Sequence, residues 1–412
     1  MLILYFLNNR KNNKTYGLVL SLERFRGEIE ILKKDKKINL IIFPEKLLNY
    51  LLMPFEEELV SSNKYYFKNN KKSHLLRKRI SNYFKIILNP LFKFYSIKFM
   101  IGASCYYKRD NDISLAGQLL GAKYIVFLRE NMAPFEINNH IKHFDGRKVT
   151  KPDLIFTQCI STFKAYSRMK IFSKVKIINI GSLRMSNYIN KIINLRKKKK
   201  FLVKLNKKKN IIFFSFTYNT LLEFYKKNSD LESFGKEGLI NLFKNSHNNI
   251  IEYGKKNKNI NIIIKTKWGG IWHDRIIDNW FKHSNNSQIP INVKITSDGN
   301  VHDMLLKADL VISFFSTAMC EAGLRNIPVI FLYFNEITNK FKKFIDINWI
   351  KKSFFVCNDY RKLENDINLN LSNFKISKKT RKNRDEAFKE YASIFKKINY
   401  NDLVKEINKV II

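Results

Sequence analysis

Apolar residues along this chain gather into short runs, and between the runs they recur at helical spacing. Leu2 to Leu7 reads as a buried strand and Ile38 to Phe43, just before Pro44, as a second. Mixed apolar and charged positions from Leu18 to Leu32 predict a helix between them. The same signature predicts strands at Tyr124 to Leu128, Leu154 to Thr157 and Lys176 to Ile180. It returns at Ile211 to Phe214, Ile260 to Lys265, Val293 to Ile295, Leu310 to Ser313 and Val329 to Tyr333, while Lys378 to Ile412 reads as helical. Short apolar strands alternating with helices mark mostly parallel sheets covered on both faces. The expected class is α/β, with two Rossmann-like domains facing each other across a cleft.

Length agrees, because 412 residues exceed what one compact core organises. The block Arg196-Lys197-Lys198-Lys199-Lys200, with Lys204 and Lys207-Lys208-Lys209 behind it, favours an exposed, extended segment. The expected division is therefore an N-terminal domain over 1–195, a basic linker over 196–210 and a C-terminal domain over 211–412 that keeps the last helices.

Lys and Arg total 76 against 35 acidic residues, a formal net charge of +41, which excludes a near-neutral enzyme surface. The excess has two readings: attraction to an anionic neighbour, or a genome biased toward Lys, Asn and Ile codons. The basic residues are spread along the chain and no nucleic-acid-binding module occurs, so nucleic acid is not the expected partner. Residues 64–99 differ from the rest, since no acidic residue stands between Glu58 and Asp110. Leu76, Ile80, Tyr83 and Ile87 fall on one helical stripe, with Arg77, Lys78, Arg79 and Lys85 available to other faces; Pro90 is expected to end or kink the helix. A basic amphipathic helix suits an anionic membrane surface, and an ordinary domain helix with a solvated basic face has the same pattern.

Cys105, Cys159, Cys320 and Cys357 show neither a C-x-x-C nor a zinc spacing, which points to a reducing compartment. Met1 to Leu7 is too short to span a bilayer and lacks a basic leader region. The expected location is the cytoplasm, with membrane contact on the inner face only.

The stretch richest in chemistry runs from Ala308 to Ile330, ADLVISFFSTAMCEAGLRNIPVI, and reads as strand, loop, helix, turn, strand. Ser316 is a natural N-cap, and the N–H groups of a helix start attract anions. Ser316 and Thr317 add hydroxyls. Glu321 lies just over one turn further in, where a carboxylate can accept from two vicinal hydroxyls. A phosphate at the helix start and a sugar diol deeper along it describe a nucleotide; a plain cap and a solvated Glu describe the same residues without a ligand.

This run resembles the donor-nucleotide motif of GT-B glycosyltransferases. It is nearest the bacterial surface-polysaccharide group of capsule and lipopolysaccharide sugar transferases and teichoic acid glycerophosphotransferases. In that superfamily a strand ending in Ser leads to a Ser/Thr-rich helix start, Glu-Ala, and a Gly-x-Pro-Val-Ile turn. The resemblance implies donor-phosphate contacts at Ser316 and Thr317 and a ribose contact at Glu321. It also implies donor contacts from Lys265 or Lys267 at the end of the strand Ile260 to Lys265; Ser215 and Arg184 are further donor-binding candidates, as is His302, which with Asp303 either assists at the cleft or merely opens a helix. SDGNVHDMLLKADLVIS matches the usual approach to the motif. DISLAGQLLGAKYIVFLRENM places Arg129-Glu130-Asn131 at the carboxyl end of an N-terminal strand, and VKIINIGSLRM leads Gly181 to Arg184 toward the cleft. The similarity covers most of the chain from Asp112 to Tyr333. It departs from the glycerophosphotransferases where they carry Asp-Tyr-Ser-Ser and this chain has Ser313-Phe314-Phe315-Ser316, which argues against CDP-glycerol as donor.

An inverting transferase of this kind needs a general base and a positive cradle for the departing diphosphate, with no metal and no cofactor beyond the nucleotide-sugar. The expected base is Glu130, with Asp112 second; Glu130 otherwise pairs with Arg129 or Arg184, and Asp112 otherwise caps a helix. Asp110-Asn111-Asp112 formally matches an Asp-x-Asp metal motif but precedes a helix, which favours capping. His140 and His143 lack a third ligand at a metal-binding spacing. Lys267 to Asp274, KWGGIWHD, either stacks on a sugar or base or merely turns the chain. The expected function is transfer of a sugar from a nucleotide-sugar to a surface polysaccharide or lipid-linked glycan. The alternatives are a non-hydrolysing nucleotide-sugar epimerase, which shares the architecture, and a basic nucleic-acid binder.

Overall fold

A computed structural model describes residues 5–6, 15–25, 28–33, 37–61, 66–68, 70–129, 131, 137–145, 147–197, 208–216, 232–266, 277–279, 281, 288–314, 316–334, 346–394 and 400–411. The chain forms two compact units, Met1–Asn187 with Ser393–Ile412, and Tyr188–Ala392.

The first unit holds strands β1 (Tyr5–Phe6), β2 (Thr15–Leu20), β3 (Ile38–Phe43), β4 (Ile97–Gly102), β5 (Lys123–Phe127), β6 (Leu154–Thr157) and β7 (Lys176–Asn179). They form one sheet in the order β1-β3-β2-β4-β5-β6-β7, parallel throughout except for β1, which pairs antiparallel at the edge. Its helices are α1 (Glu28–Leu32), α2 (Glu45–Leu52), α3 (Glu56–Ser61), α4 (Lys71–Tyr95), α5 (Lys108–Leu119), α6 (Ile137–Phe144) and α7 (Ile160–Arg168). Period-two alternation explains why both faces are covered. Leu18, Leu20, Ile41, Phe43 and Met100 bury into one apolar layer, while Val19, Leu40, Ile42, Phe99 and Ile101 bury into the other.

Strand β2 stands where the sequence predicts the start of a helix. Leu18, Val19 and Leu20 divide between the two layers, and that split is a strand's geometry. The expected helix shrinks to α1. Strand β4 continues directly from the basic segment and is hidden within it. Helix α4 buries Leu76, Ile80, Phe84, Leu88 and Phe92, and Arg77 lies among them rather than on a solvated face. Pro90 does not end it: the helix runs on to Tyr95. Pro90 and Ile86 both lie on the exposed side, so the carbonyl that the proline leaves without an N–H partner is one water can reach.

The second unit begins within α8 (Ser186–Lys197), earlier than the expected linker. Arg196, the first residue of the basic block, is part of that helix; it forks onto Asp385 at 2.8 and 2.9 Å and donates to the Leu324 carbonyl at 2.6 Å. Residues 198–207, the centre of the expected linker, lie outside the described residues. Strands β8 (Lys209–Phe214), β9 (Ile260–Lys265), β10 (Val293–Thr296), β11 (Leu310–Ser313), β12 (Val329–Leu332) and β13 (Phe355–Cys357) form an all-parallel sheet ordered β10-β9-β8-β11-β12-β13. Helices α9 (Glu232–Lys256), α10 (Val301–Lys307), α11 (Ala318–Leu324), α12 (Ile347–Ser353), α13 (Tyr360–Ser372) and α14 (Lys378–Tyr391) accompany it. This is the doubly wound order of a dinucleotide-binding domain.

The final helix, α15 (Tyr400–Ile411), packs in the first unit and not with the C-terminal domain to which the sequence assigns it. Leu403, Val404 and Ile407 complete the apolar layer of Val19 and Phe99, and Lys176 bonds Glu406 at 2.5 Å.

All four cysteines are buried and none forms a disulfide. Among the described residues no helix is long and apolar enough to cross a membrane.

Candidate functional site

In a doubly wound sheet, ligands sit beyond the carboxyl ends of the strands where the winding reverses. In the second unit that point lies between β8 and β11. Leu310 to Ser313 pair with Ile211 to Phe214, so Ser215 and Phe314 leave the sheet side by side. Phe216 and Phe314 pack ring against ring there, centroids 4.8 Å apart.

Six of the predicted donor residues that can be placed stand along this carboxyl edge or on the helices that follow it. Ser316 is half-buried, and its Oγ accepts from the N–H of Ala318 at 3.3 Å. Because that bond uses a lone pair, the hydroxyl proton remains for an acceptor elsewhere. Thr317 begins the first helical turn with helical backbone angles and makes no side-chain cap. Ser215 is held on the sheet by its N–H to the Lys265 carbonyl at 3.0 Å. The Lys265 ammonium is buried at the ends of β9 and β10, donating to the carbonyls of Thr266 at 3.0 Å and Ser297 at 2.6 Å.

Glu321 lies in α11 and is only 2% exposed. Its Oε2 is 3.0 Å from His302 Nε2. An ionised carboxylate only accepts, so Nε2 carries the proton. His302 therefore meets Glu321, where the sequence reading has it contacting the donor. The backbone carbonyl of Glu321 accepts from Tyr188 Oη at 2.7 Å, and the Tyr188 ring stacks under His302 with centroids 4.8 Å apart. Burial, then the Glu321 charge, pushes the Tyr188 phenol far above its usual range, so it remains a donor.

Two residues that sequence reasoning missed belong to this edge. One is Tyr188, 133 positions from Glu321. The other is His247 on α9, whose Nδ1 bonds the Phe243 carbonyl at 2.7 Å and whose Nε2 lies 2.8 Å from Ser215 Oγ. Neither stands in a recognisable motif. A buried His one helical turn beyond Phe243 was the available hint.

The remaining predicted residues fall elsewhere. Arg184 lies in the first unit, in the 3-10 turn Leu183–Met185 after β7. Glu130, Lys267 and the KWGGIWHD loop lie outside the described residues. Asp112 is also in the first unit, 1% exposed within the second turn of α5. Its Oδ1 accepts from Arg77 Nε at 3.1 Å and its Oδ2 bonds Tyr66 Oη. Burial lifts the Asp112 carboxyl to about 6 against the pull of Arg77. Arg77 also reaches Asn111 Oδ1 at 3.0 Å and the Lys148 carbonyl at 2.7 Å. Asp110 accepts from Arg24 at 2.8 Å. The Asp-Asn-Asp run is thus bound to arginines, and among the described residues no cluster of three metal-ligating side chains occurs. His140 stacks on Phe144 at 5.4 Å, and burial lowers its imidazole to about 4.

No protein-family profile and no curated protein matches the chain. Solved structures do. A UDP-GlcNAc 2-epimerase from Neisseria meningitidis, bound to UDP-GlcNAc, aligns over 96% of this chain and 100% of its own at TM-score 0.52 and 12% identity. The wall teichoic acid polymerase TagF aligns over 97% and 90% at TM-score 0.50 and 11% identity. A UDP-N-acetylglucosamine 2-epimerase from Listeria monocytogenes aligns over 96% of each chain at TM-score 0.50 and 11% identity. With the two doubly wound units, these likenesses define the chain as a GT-B-fold protein, the architecture common to glycosyltransferases and nucleotide-sugar 2-epimerases.

Proposed function

We propose that the protein is a glycosyltransferase that takes a sugar from a nucleotide-sugar and passes it to a surface polysaccharide or lipid-linked glycan. The observation that carries this reading is the placement of a buried, oriented carboxylate, Glu321, on the helix that leaves the winding reversal at β8 and β11. In this reading Glu321 accepts from the pentose diol. The hydroxyls of Ser316 and Thr317 and the Lys265 ammonium meet the diphosphate, whose charge grows as the sugar leaves, while the Ser215 hydroxyl donates to His247 Nε2. Asp112 is committed to Arg77 and Tyr66 and is not the base; Glu130 is proposed for that role.

Helix α4 supports the transferase reading over the epimerase one. With its apolar stripe consumed by the core, it turns outward Lys71, Lys72, Lys78, Lys85 and Lys93, together with Ile86 at 75% and Phe94 at 80% exposure. Lysines flanking exposed aromatic and aliphatic side chains fit the anionic leaflet in which lipid-linked acceptors reside. An epimerase has no use for such a surface.

The test is titration of UDP, CDP, ADP and GDP by calorimetry against the native protein and Glu321→Ala. One of the four binds, and the substitution weakens it about tenfold or more. Unchanged affinity in Glu321→Ala removes the site assignment. Conversion of UDP-GlcNAc in the absence of any acceptor identifies an epimerase instead.

A further inference from the structure

Glu321 is held at both ends by the same pair of side chains. Tyr188 binds its main-chain carbonyl, and His302, lying flat on the Tyr188 ring, binds its carboxylate. The imidazole is itself fixed from behind. Asn300 caps α10 by accepting from the N–H groups of His302 at 2.8 Å and Asp303 at 3.3 Å, which sets the His302 backbone. At the far ends of the two helices, Arg325 donates to the carbonyls of Leu305, at 2.7 Å, and Ala308. Helices α10 and α11 are therefore locked together on either side of the carboxylate.

A carboxylate recognises two vicinal hydroxyls only when its plane faces them, and a glutamate has three rotatable bonds that let the plane turn. With Oε2 tied to an imidazole stacked on Tyr188, the rotation of that plane is restricted. Preorganisation of this kind raises affinity by removing the cost of ordering the group on binding. We infer that His302 is a positioning residue for diol recognition: it orients Glu321 toward the pentose hydroxyls of a ribonucleotide without touching the ligand. The inference rests on the reading that Glu321 meets that diol, and it adds a specificity, ribonucleotide over 2′-deoxyribonucleotide, that depends on a second residue.

The experiment compares the tightest of UDP, CDP, ADP and GDP with its own 2′-deoxy form, by calorimetry, in four proteins. The native protein prefers the ribonucleotide by about tenfold or more, and Glu321→Ala abolishes the preference. His302→Ala reduces the preference to within about threefold while leaving affinity for the 2′-deoxy form unchanged. His302→Gln, whose amide N–H can stand in for Nε2–H, restores most of it. If His302→Ala keeps the full preference, or weakens both nucleotides equally, His302 is only structural and the inference fails while the Glu321 reading stands. If Glu321→Ala keeps the preference, or none of the four diphosphates binds, the reading itself fails and takes the inference with it. Should His302→Ala not fold, Tyr188→Phe decides: it keeps the ring under His302, releases the Glu321 carbonyl, and is expected to reduce the ribonucleotide preference in part. A full preference in that variant counts against the inference.

Discussion

Each unit places a nearly sealed carboxylate on the helix that follows the strand at its winding reversal, Asp112 on α5 after β4 and Glu321 on α11 after β11. Their surroundings differ in kind. Around Asp112 a cation, Arg77 from α4, stands beside the Tyr66 phenol, with Arg24 on neighbouring Asp110 and on Glu45 at 3.1 Å. Glu321 meets an imidazole at its carboxylate and a phenol at its backbone carbonyl. An arginine neutralises a carboxylate and uses it as a fastener; an imidazole N–H and a backbone bond orient one while leaving its charge in place. Burial alone therefore does not separate a fastening carboxylate from the one proposed to meet a ligand.

The sharpest way to separate the two carboxylates is Arg77→Ala. It takes one donor each from Asp112, Asn111 and the Lys148 carbonyl, and removal of one member of a buried ion pair costs about 3–5 kcal/mol. Urea denaturation should show the first unit weakened by that order, while nucleotide affinity of the folded protein stays within about twofold. A parallel loss of nucleotide affinity would erase the distinction between fastener and site.

A smaller effect follows from pH. Burial raises Asp112 from 3.8 to about 6, so between those values the folded protein holds a proton that the unfolded chain does not. The contribution of this group to stability therefore grows as pH falls through 6 toward 4. Asp112→Asn cannot take up that proton, so its stability deficit against the native protein should widen between pH 7 and pH 4.5. A deficit independent of pH would mean that Asp112 titrates normally.

The least effect on the fold is expected from Lys78→Glu, Lys85→Glu and Lys93→Glu combined on the outer face of α4. All three are exposed and their loss should move stability by under about 0.5 kcal/mol each. Sedimentation with phosphatidylserine vesicles should fall nonetheless, and neutral phosphatidylcholine vesicles should bind neither protein. Equal retention by both vesicle types would assign α4 a purely structural part.

Where burial was continuous along a strand, composition was enough to find it: Ile260–Lys265 and Leu310–Ser313 fall where the sequence places them. Strands β2 and β4 were concealed by their flanks. Thr15–Leu20 runs into charged residues that mimic helical spacing, and Ile97–Gly102 follows a helix with Lys98 near its start. The site divides in the same way. Ser316, Glu321 and His302 lie within one local stretch, so spacing and resemblance could single them out as candidates. Tyr188 and His247 act through contacts between segments far apart in sequence, and only folding brings them to Glu321 and Ser215. Arg77 was misjudged because helical periodicity assigns a face but not what another helix sets against it.

The return of α15 to the first unit has a consequence for synthesis. Tyr188–Ala392 is one uninterrupted stretch, whereas the apolar layer beneath Val19 and Phe99 stays incomplete until Leu403, Val404 and Ile407 arrive. The unit whose sheet is translated earlier is thus finished later, and until the ribosome has delivered α15 that apolar layer stays open to a chaperone.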